Sequence, residues 1–378
     1  MFSGPLGEDI RGRSAEEIRR RTEERQSLQR RETEDYLRGE TFRYPERQAQ
    51  LWQRDYSCVS AYLRSVQPNR RRWQEAVGEF EAGGVDLEAQ WEPFSEDDRV
   101  LARWVTVKAQ PGLSARAILA LPKTVAGPVP LVVCQHGIGS SPERVFGYDD
   151  PSNVYKGYGR QLVEQGFAVL APLNITEGEP RARYERMAKL LGKTLWGLEI
   201  FKIRRLLDLA ETLPQVDVRR TGMYGISLGG AYTSFTVPVE PRITVAVICA
   251  WFNHRLNKMI VDDPRYSCFL STKEEHIIVP GWLREFTDSD LLSLICPRPV
   301  LIETGKCDSI AWWPQVLEEF ERTRTHYEKL GVADRIEMDL HEGGHEIRGA
   351  RAFEFLRTWL IDRPLSRLDT DTGAEPSS

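Results

Sequence analysis

Two textures divide the chain. From residue 11 to about 92, Arg and Glu alternate in sign, with Tyr, Trp and Leu at wide intervals and no strict apolar/polar alternation. Opposite charges three and four residues apart support exposed helices. Trp52, Tyr56, Tyr62, Leu63 and Trp73 supply an apolar side, so this segment is expected to be helical, as a cap or an oligomer interface. From about residue 98 the pattern changes. Residues 99–107 and 115–121 read as strands around Gln110-Pro111-Gly112-Leu113, a turn sequence. Short apolar runs follow at 131–134, 167–170 and 221–224, and residues 195–213 are apolar at helical spacing up to Pro214. Runs at 243–251, 299–303 and 335–340 continue the series, with helix candidates at 313–330 and 350–360. Such alternation predicts an α/β fold: a mostly parallel central sheet flanked by helices, with ligands at the carboxyl ends of the strands. Two excursions, 175–194 and 253–290, exceed ordinary loop lengths and are expected to form pocket walls.

After the run at 221–224 stands Gly225-Ile226-Ser227-Leu228-Gly229, the pattern G-x-S-x-G. Between a strand and a helix this spacing makes a sharp turn that presents a serine at the head of the helix, where the Leu228 N–H favours an anion. A serine hydroxyl becomes a nucleophile only when a base takes its proton, and the base needs a carboxylate to fix its tautomer. Asp308 follows the run at 299–303, and His345 lies in a glycine loop after the run at 335–340. The order Ser227, Asp308, His345 is the one this strand-to-helix motif requires. Glu303, Asp262 and Asp263 compete for the acid position, and His341 for the base, which would otherwise be a structural histidine.

His341-Glu342-Gly343-Gly344-His345 also matches H-E-x-x-H, the spacing that binds zinc in peptidases. That chemistry needs a helix, so that both imidazoles share a face, and two adjacent glycines oppose one. A loop histidine serving Ser227 is therefore the favoured reading, with no metal and no cofactor.

Composition narrows the partners. A net charge of −5 provides no basic field for nucleic acid, and Asn69-Arg70-Arg71-Arg72-Trp73 reads as a solvated helix face. No apolar run is long enough to span a membrane and no secretory leader is evident, so a cytoplasmic protein is expected. Six scattered cysteines without C-x-x-C spacing suit reduced thiols.

Over roughly residues 98–362 the chain resembles the α/β-hydrolase superfamily. Gln135-His136-Gly137-Ile138-Gly139, the run from Val216 to Gly230, Cys296-Pro297-Arg298-Pro299 and the His345 loop are similar to its dienelactone hydrolase and acetyl xylan esterase-like branch. The resemblance implies residues 96–364 as the catalytic domain; the helical segment precedes it over 1–95, and the tail over 365–378, rich in Asp, Thr, Gly and Ser, is expected to be disordered. It implies Ser227 as nucleophile, His345 as base, Asp308 as orienting acid, and an oxyanion hole from the Ile138 and Leu228 amides. His136, Trp251, Asn253, His254, Trp312 and Trp313 are candidates for contact with a small ester substrate. The expected activity is carboxylic ester hydrolysis, on a sugar or small ester, by a chain that could pair through its N-terminal helices. Carbon–carbon bond hydrolysis with the same triad, or zinc peptidase chemistry, are the alternatives.

Overall fold

A computed structural model describes residues 12–81 and 84–365. The tail expected to be disordered lies outside the described residues apart from Leu365, as does the extreme N-terminus. Three helices come first: α1 (Ala15–Phe42), α2 (Tyr44–Leu51) and α3 (Val59–Val77). Ser14 starts α1 as an N-cap, its Oγ accepting from Glu17 N at 3.2 Å, and Glu16 and Glu17 face the positive helix end. No side chain of α1 is buried; Arg38 ties it to the body, bonded to Ile260 O and to Asp262 at 2.6 Å.

α3 is different. Tyr62, Leu63, Val66, Trp73 and Val77 are buried, and Trp73 stacks edge-on to Phe235 and Phe286 while its Nε1 donates to Phe235 O at 3.2 Å. The basic run within α3 is not simply a solvated face. Arg70 is buried and caps the carbonyls of Pro238 and Leu294, because two buried helix-end acceptors need a donor; burial pushes its pKa down to about 10.

The sheet has nine strands: β1 (Gln90–Glu96), β2 (Val100–Gln110), β3 (Leu113–Pro122), β4 (Val129–Gln135), β5 (Ala168–Pro172), β6 (Val216–Ile226), β7 (Ile243–Cys249), β8 (Val300–Gly305) and β9 (Ile336–His341). Their order is β1-β2-β3-β5-β4-β6-β7-β8-β9, with β1 to β3 antiparallel and the remaining six parallel. β1 corrects the reading of residues up to 95 as helical. Gln90-Trp-Glu-Pro-Phe-Ser-Glu is largely exposed and carries little periodicity of its own; it is extended because β2 offers a free edge to pair with, and Pro93 is tolerated there.

Along β4, Leu131 and Val133 join the core on one face while Val132 and Cys134 join the other, as expected of a strand covered on both sides. Helix Leu195–Glu211, capped by Thr194, covers the first face; helix Ala350–Arg357 covers the second. The strand order reverses at β4, which lies between β5 and β6, so a crevice opens where Gln135 and Gly225 end their pairing. All six cysteines are free, and no helix of the described residues is long and apolar enough to cross a membrane.

Trp73 sets the test of how firmly the N-terminal helices belong to this core. Replacing it by Ala is expected to destabilise the protein by about 3–5 kcal/mol, read as a lower urea midpoint with an unchanged slope. A loss under about 1 kcal/mol would mean that α3 adds little to the core.

Candidate active site

β6 hands the chain to helix Leu228–Thr236 through Ser227 alone. Ser227 has φ 58° and ψ −120°, a region that costs a side-chain-bearing residue about 1–3 kcal/mol. Neighbouring bonds hold it there: Ser227 N donates to Cys249 O at 2.9 Å, and Ala231 N donates to Ser227 O at 3.0 Å. The helix presses onto the end of β4. A Cβ at Gly229 would lie 2.1 Å from Gln135 O, so only glycine fits.

β4 continues into His136-Gly137-Ile138-Gly139. The Gly137 backbone lies against the serine, since a Cβ there would stand 3.3 Å from Ser227 Cβ. Gly137 N donates to Tyr155 Oη at 3.0 Å and Gly139 N to Thr176 O at 3.1 Å, which fixes the loop. Between them Ile138 N, like Leu228 N at the helix head, donates to no acceptor among the described residues. Two amides are thus unused beside Ser227, and both residues line one cavity with it.

His345 and Asp308 are brought together by the loops after β9 and β8. Lys306 N donates to His341 O at 2.8 Å and Cys307 N to Gly343 O at 2.9 Å, zipping the two loops by their backbones. The outcome is a 2.7 Å hydrogen bond from His345 Nδ1 to Asp308 Oδ2, with the Asp308 side chain fully buried and its Oδ1 accepting from Ile310 N at 2.9 Å. Among the described residues Ser227 Oγ makes no hydrogen bond, so the third contact, serine to imidazole, is not closed; bonds of this kind are often long before a substrate arrives.

The competing carboxylates are occupied elsewhere. Glu303 is buried and accepts from Tyr224 Oη at 2.9 Å, Arg348 N at 2.9 Å and Gly349 N at 3.1 Å, anchoring the chain beyond His345 to the sheet. Asp262 pairs with Arg38, and Asp263 with Arg265 at 2.6 Å. His341 ends β9, and its Nδ1 accepts from Gly343 N at 3.0 Å. His345 follows in a loop rather than one helical turn on, so the geometry that gives H-E-x-x-H its meaning is missing. Among the described residues no group of three or more His, Cys, Asp or Glu side chains is placed to hold a metal ion.

The cavity against Ser227 has a volume of about 140 Å3. Trp251 and Asn253, two of the residues considered for substrate contact, line it. The other substrate-contact candidates are not part of its wall. His136 is fully buried with Nδ1 beside Gly137 O, and burial drives its pKa down to about 4, so it supports the loop as a neutral ring. His254 caps the helix Arg255–Ile260 by accepting from Asn257 N. Trp312 packs on Tyr266, with Arg265 over its ring, and Trp313 opens the helix Trp313–Lys329. Of the two excursions, 253–290 supplies much of the wall, including Arg255, Lys258, Phe269 and His276, none of which the sequence singled out. Arg255 and Lys258 stand three apart on one short helix, a spacing that only a known helix start would have made legible. The excursion 175–194 carries helix Gly178–Leu190, from which buried Arg181 bonds Glu199 at 2.9 Å.

No family model matches the chain. It is 28% identical over 263 residues to YtaP of Bacillus subtilis (strain 168), a protein named provisionally as a hydrolase, across 65% of this chain and 84% of that one. Solved structures of similar shape include a glucuronoyl esterase from Solibacter usitatus (TM-score 0.63, 13% identity, 80% of this chain and 93% of that one). Acetyl xylan esterase 1 from Thermoanaerobacterium sp. JW/SL YS485 is another (TM-score 0.51, 19% identity, 76% and 92%). At such identities the likeness is one of fold. Together with the strand order and the serine turn at the end of β6, it places the chain among proteins of the α/β-hydrolase fold.

Proposed function

We propose that the protein is a serine-dependent carboxylic ester hydrolase in which Ser227 is the nucleophile, His345 the base and Asp308 the acid that orients it. The observation that carries this reading is the 2.7 Å bond from His345 Nδ1 to buried Asp308, formed at the same end of the parallel strands as a serine held at positive φ. Asp308 keeps Nδ1 protonated, so Nε2 is the free base. In the first step His345 takes the Ser227 proton as Oγ attacks the ester carbonyl. The Ile138 and Leu228 amides hold the oxyanion, worth about 3–4 kcal/mol per donor in comparable sites because they are set in place beforehand. The imidazolium then protonates the departing alcohol, and water, activated by the same histidine, releases the acid from the acyl-enzyme.

A cavity this small suits a short acyl group, and acetyl is the first to test. The fold neighbours named as acetyl xylan and glucuronoyl esterases support an ester carried on a sugar or a comparable small molecule.

A fluorophosphonate should label Ser227, found by peptide mass mapping, equally with and without chelator. Ser227→Ala should lower kcat by at least about 10^3-fold, and Asp308→Asn by about 10^4-fold through loss of the correct tautomer. No adduct on Ser227, or full activity in Ser227→Ala, would sink the assignment.

Tyr155 supports the oxyanion loop without touching substrate. In Tyr155→Phe the buried Gly137 N–H loses its acceptor, at about 1–3 kcal/mol. The expected signature is a fall in kcat with KM little changed, since the loop serves the transition state. A change confined to thermal stability would make Tyr155 purely structural.

A further inference from the structure

The wall of the cavity that Ser227 lines contains more hydrogen-bond donors than the described residues satisfy. Arg255 is buried between the rings of Trp251 and Trp282, at 4.3 Å and 4.9 Å from their centroids. Its Nε and Nη2 are bound to Asp288 at 2.9 Å and 2.7 Å, and Nη2 also meets Trp251 O at 3.1 Å. Nη1 is buried and has no partner, and neither has Trp251 Nε1. Three residues on, and so on the same side of the helix, stands Lys258, buried, its Nζ donating to Ile310 O at 2.6 Å. An ammonium carries three protons, and among the described residues no carboxylate lies within ion-pair distance of this one. Burial, with Arg255 nearby, lowers its pKa to about 8 although the more distant Asp308 and Glu274 carboxylates act to raise it, so at neutral pH it carries its charge with no carboxylate in direct contact among the described residues.

Each buried donor without an acceptor costs about 1–3 kcal/mol, and folded proteins retain few. Such groups occur elsewhere in the fold as well, at Arg181 and Trp196 for example, but Arg255 Nη1, Trp251 Nε1 and the His276 ring lie on the wall shared with Ser227 and Lys258. The missing partner must be an acceptor. Arg255 is already neutralised by Asp288, whereas Lys258 is not, so an acceptor bearing negative charge meets the need better than a hydroxyl. Glu274 lies on the same wall, half-buried, but forms no ion pair with Lys258.

We propose that Arg255, Lys258 and Trp251 form a carboxylate subsite beside Ser227, so that the preferred substrate is an ester carrying a second, free carboxylate group. A carboxylate accepts only, and it has two oxygens to offer to the unpartnered guanidinium nitrogen and the ammonium. The inference rests on the ester hydrolase reading for what happens at Ser227, but the subsite itself is a binding claim.

Two readouts separate them. In the first, Ser227→Ala protein is titrated calorimetrically with monomethyl succinate and with neutral dimethyl succinate. The half-ester is expected to bind at least tenfold tighter, and Lys258→Gln in the same background to erase that preference while Lys258→Arg restores most of it. Circular dichroism melts verify that each variant is folded. In the second, kcat/KM of the intact enzyme is compared for acyl-side carboxylates (monomethyl against dimethyl succinate) and alcohol-side ones (3-acetoxypropanoate against its methyl ester). The pair with the larger ratio identifies which part of the ester occupies the subsite. Equal binding and equal turnover of charged and neutral esters, with no effect of Lys258→Gln, would overturn the subsite and leave the hydrolase standing. Charge-selective binding without hydrolysis of any ester and without a Ser227 adduct would uphold the subsite and overturn the hydrolase.

Discussion

Everything at this site depends on one steric constraint, the absence of room between the end of β4 and the helix that follows Ser227. With Gln135 O standing where a Cβ of residue 229 would be, the helix can approach only as bare backbone. That approach places the head of the helix, the unused Leu228 amide and the serine at the crevice between β4 and β6. The strained φ of Ser227 follows from it, because a strand that must become a helix within one residue leaves that residue no relaxed conformation. The strain is sustained by ordinary backbone bonds from Cys249 and Ala231, which belong to the sheet and the helix.

The second half of the site is built by a different device. Asp308 and His345 are far apart in sequence and meet because the ends of β8 and β9 are neighbours, as Gly305 opposite His341 shows. Backbone bonds carry this pairing past the strand ends, and Glu303 then fastens the chain beyond His345 through two amides. Glu303 illustrates how position decides a carboxylate's work. Five residues before Asp308 and within the strand, it is enclosed by donors and serves as an anchor, while Asp308, just outside, can reach the imidazole.

The cavity wall comes from the segment least regular in pattern, 253–290, which folds into short helical pieces across the crevice. Its polar groups are held with mixed completeness. Arg255 is clamped by Asp288 on one edge and left open on the other, and Lys258 is held by one carbonyl. Unpaired groups of this kind are a cost to the folded chain. Their placement beside Ser227 points to selection among substrates, a task the fold leaves to such insertions.

The sequence alone determined the parts that repeat or that are confined to a few adjacent residues. Apolar runs of strand length in alternation with helical spacing gave the parallel sheet, and the glycines around Ser227 gave the turn, because both are consequences of local backbone sterics. Asp308 and His345 were legible too, since each follows a recognisable strand. Tertiary structure decided what has no local signature. Strand β1 exists because β2 has an open edge; Arg70 is buried because two carbonyls lie opposite it; Tyr155 holds Gly137 across a long loop. Arg255 and Lys258 look like ordinary surface cations in a polar stretch, and only the packing of that stretch over the crevice takes them out of water. Burial and hydrogen-bond satisfaction are properties of pairs of distant segments, and the pattern along one segment does not contain them.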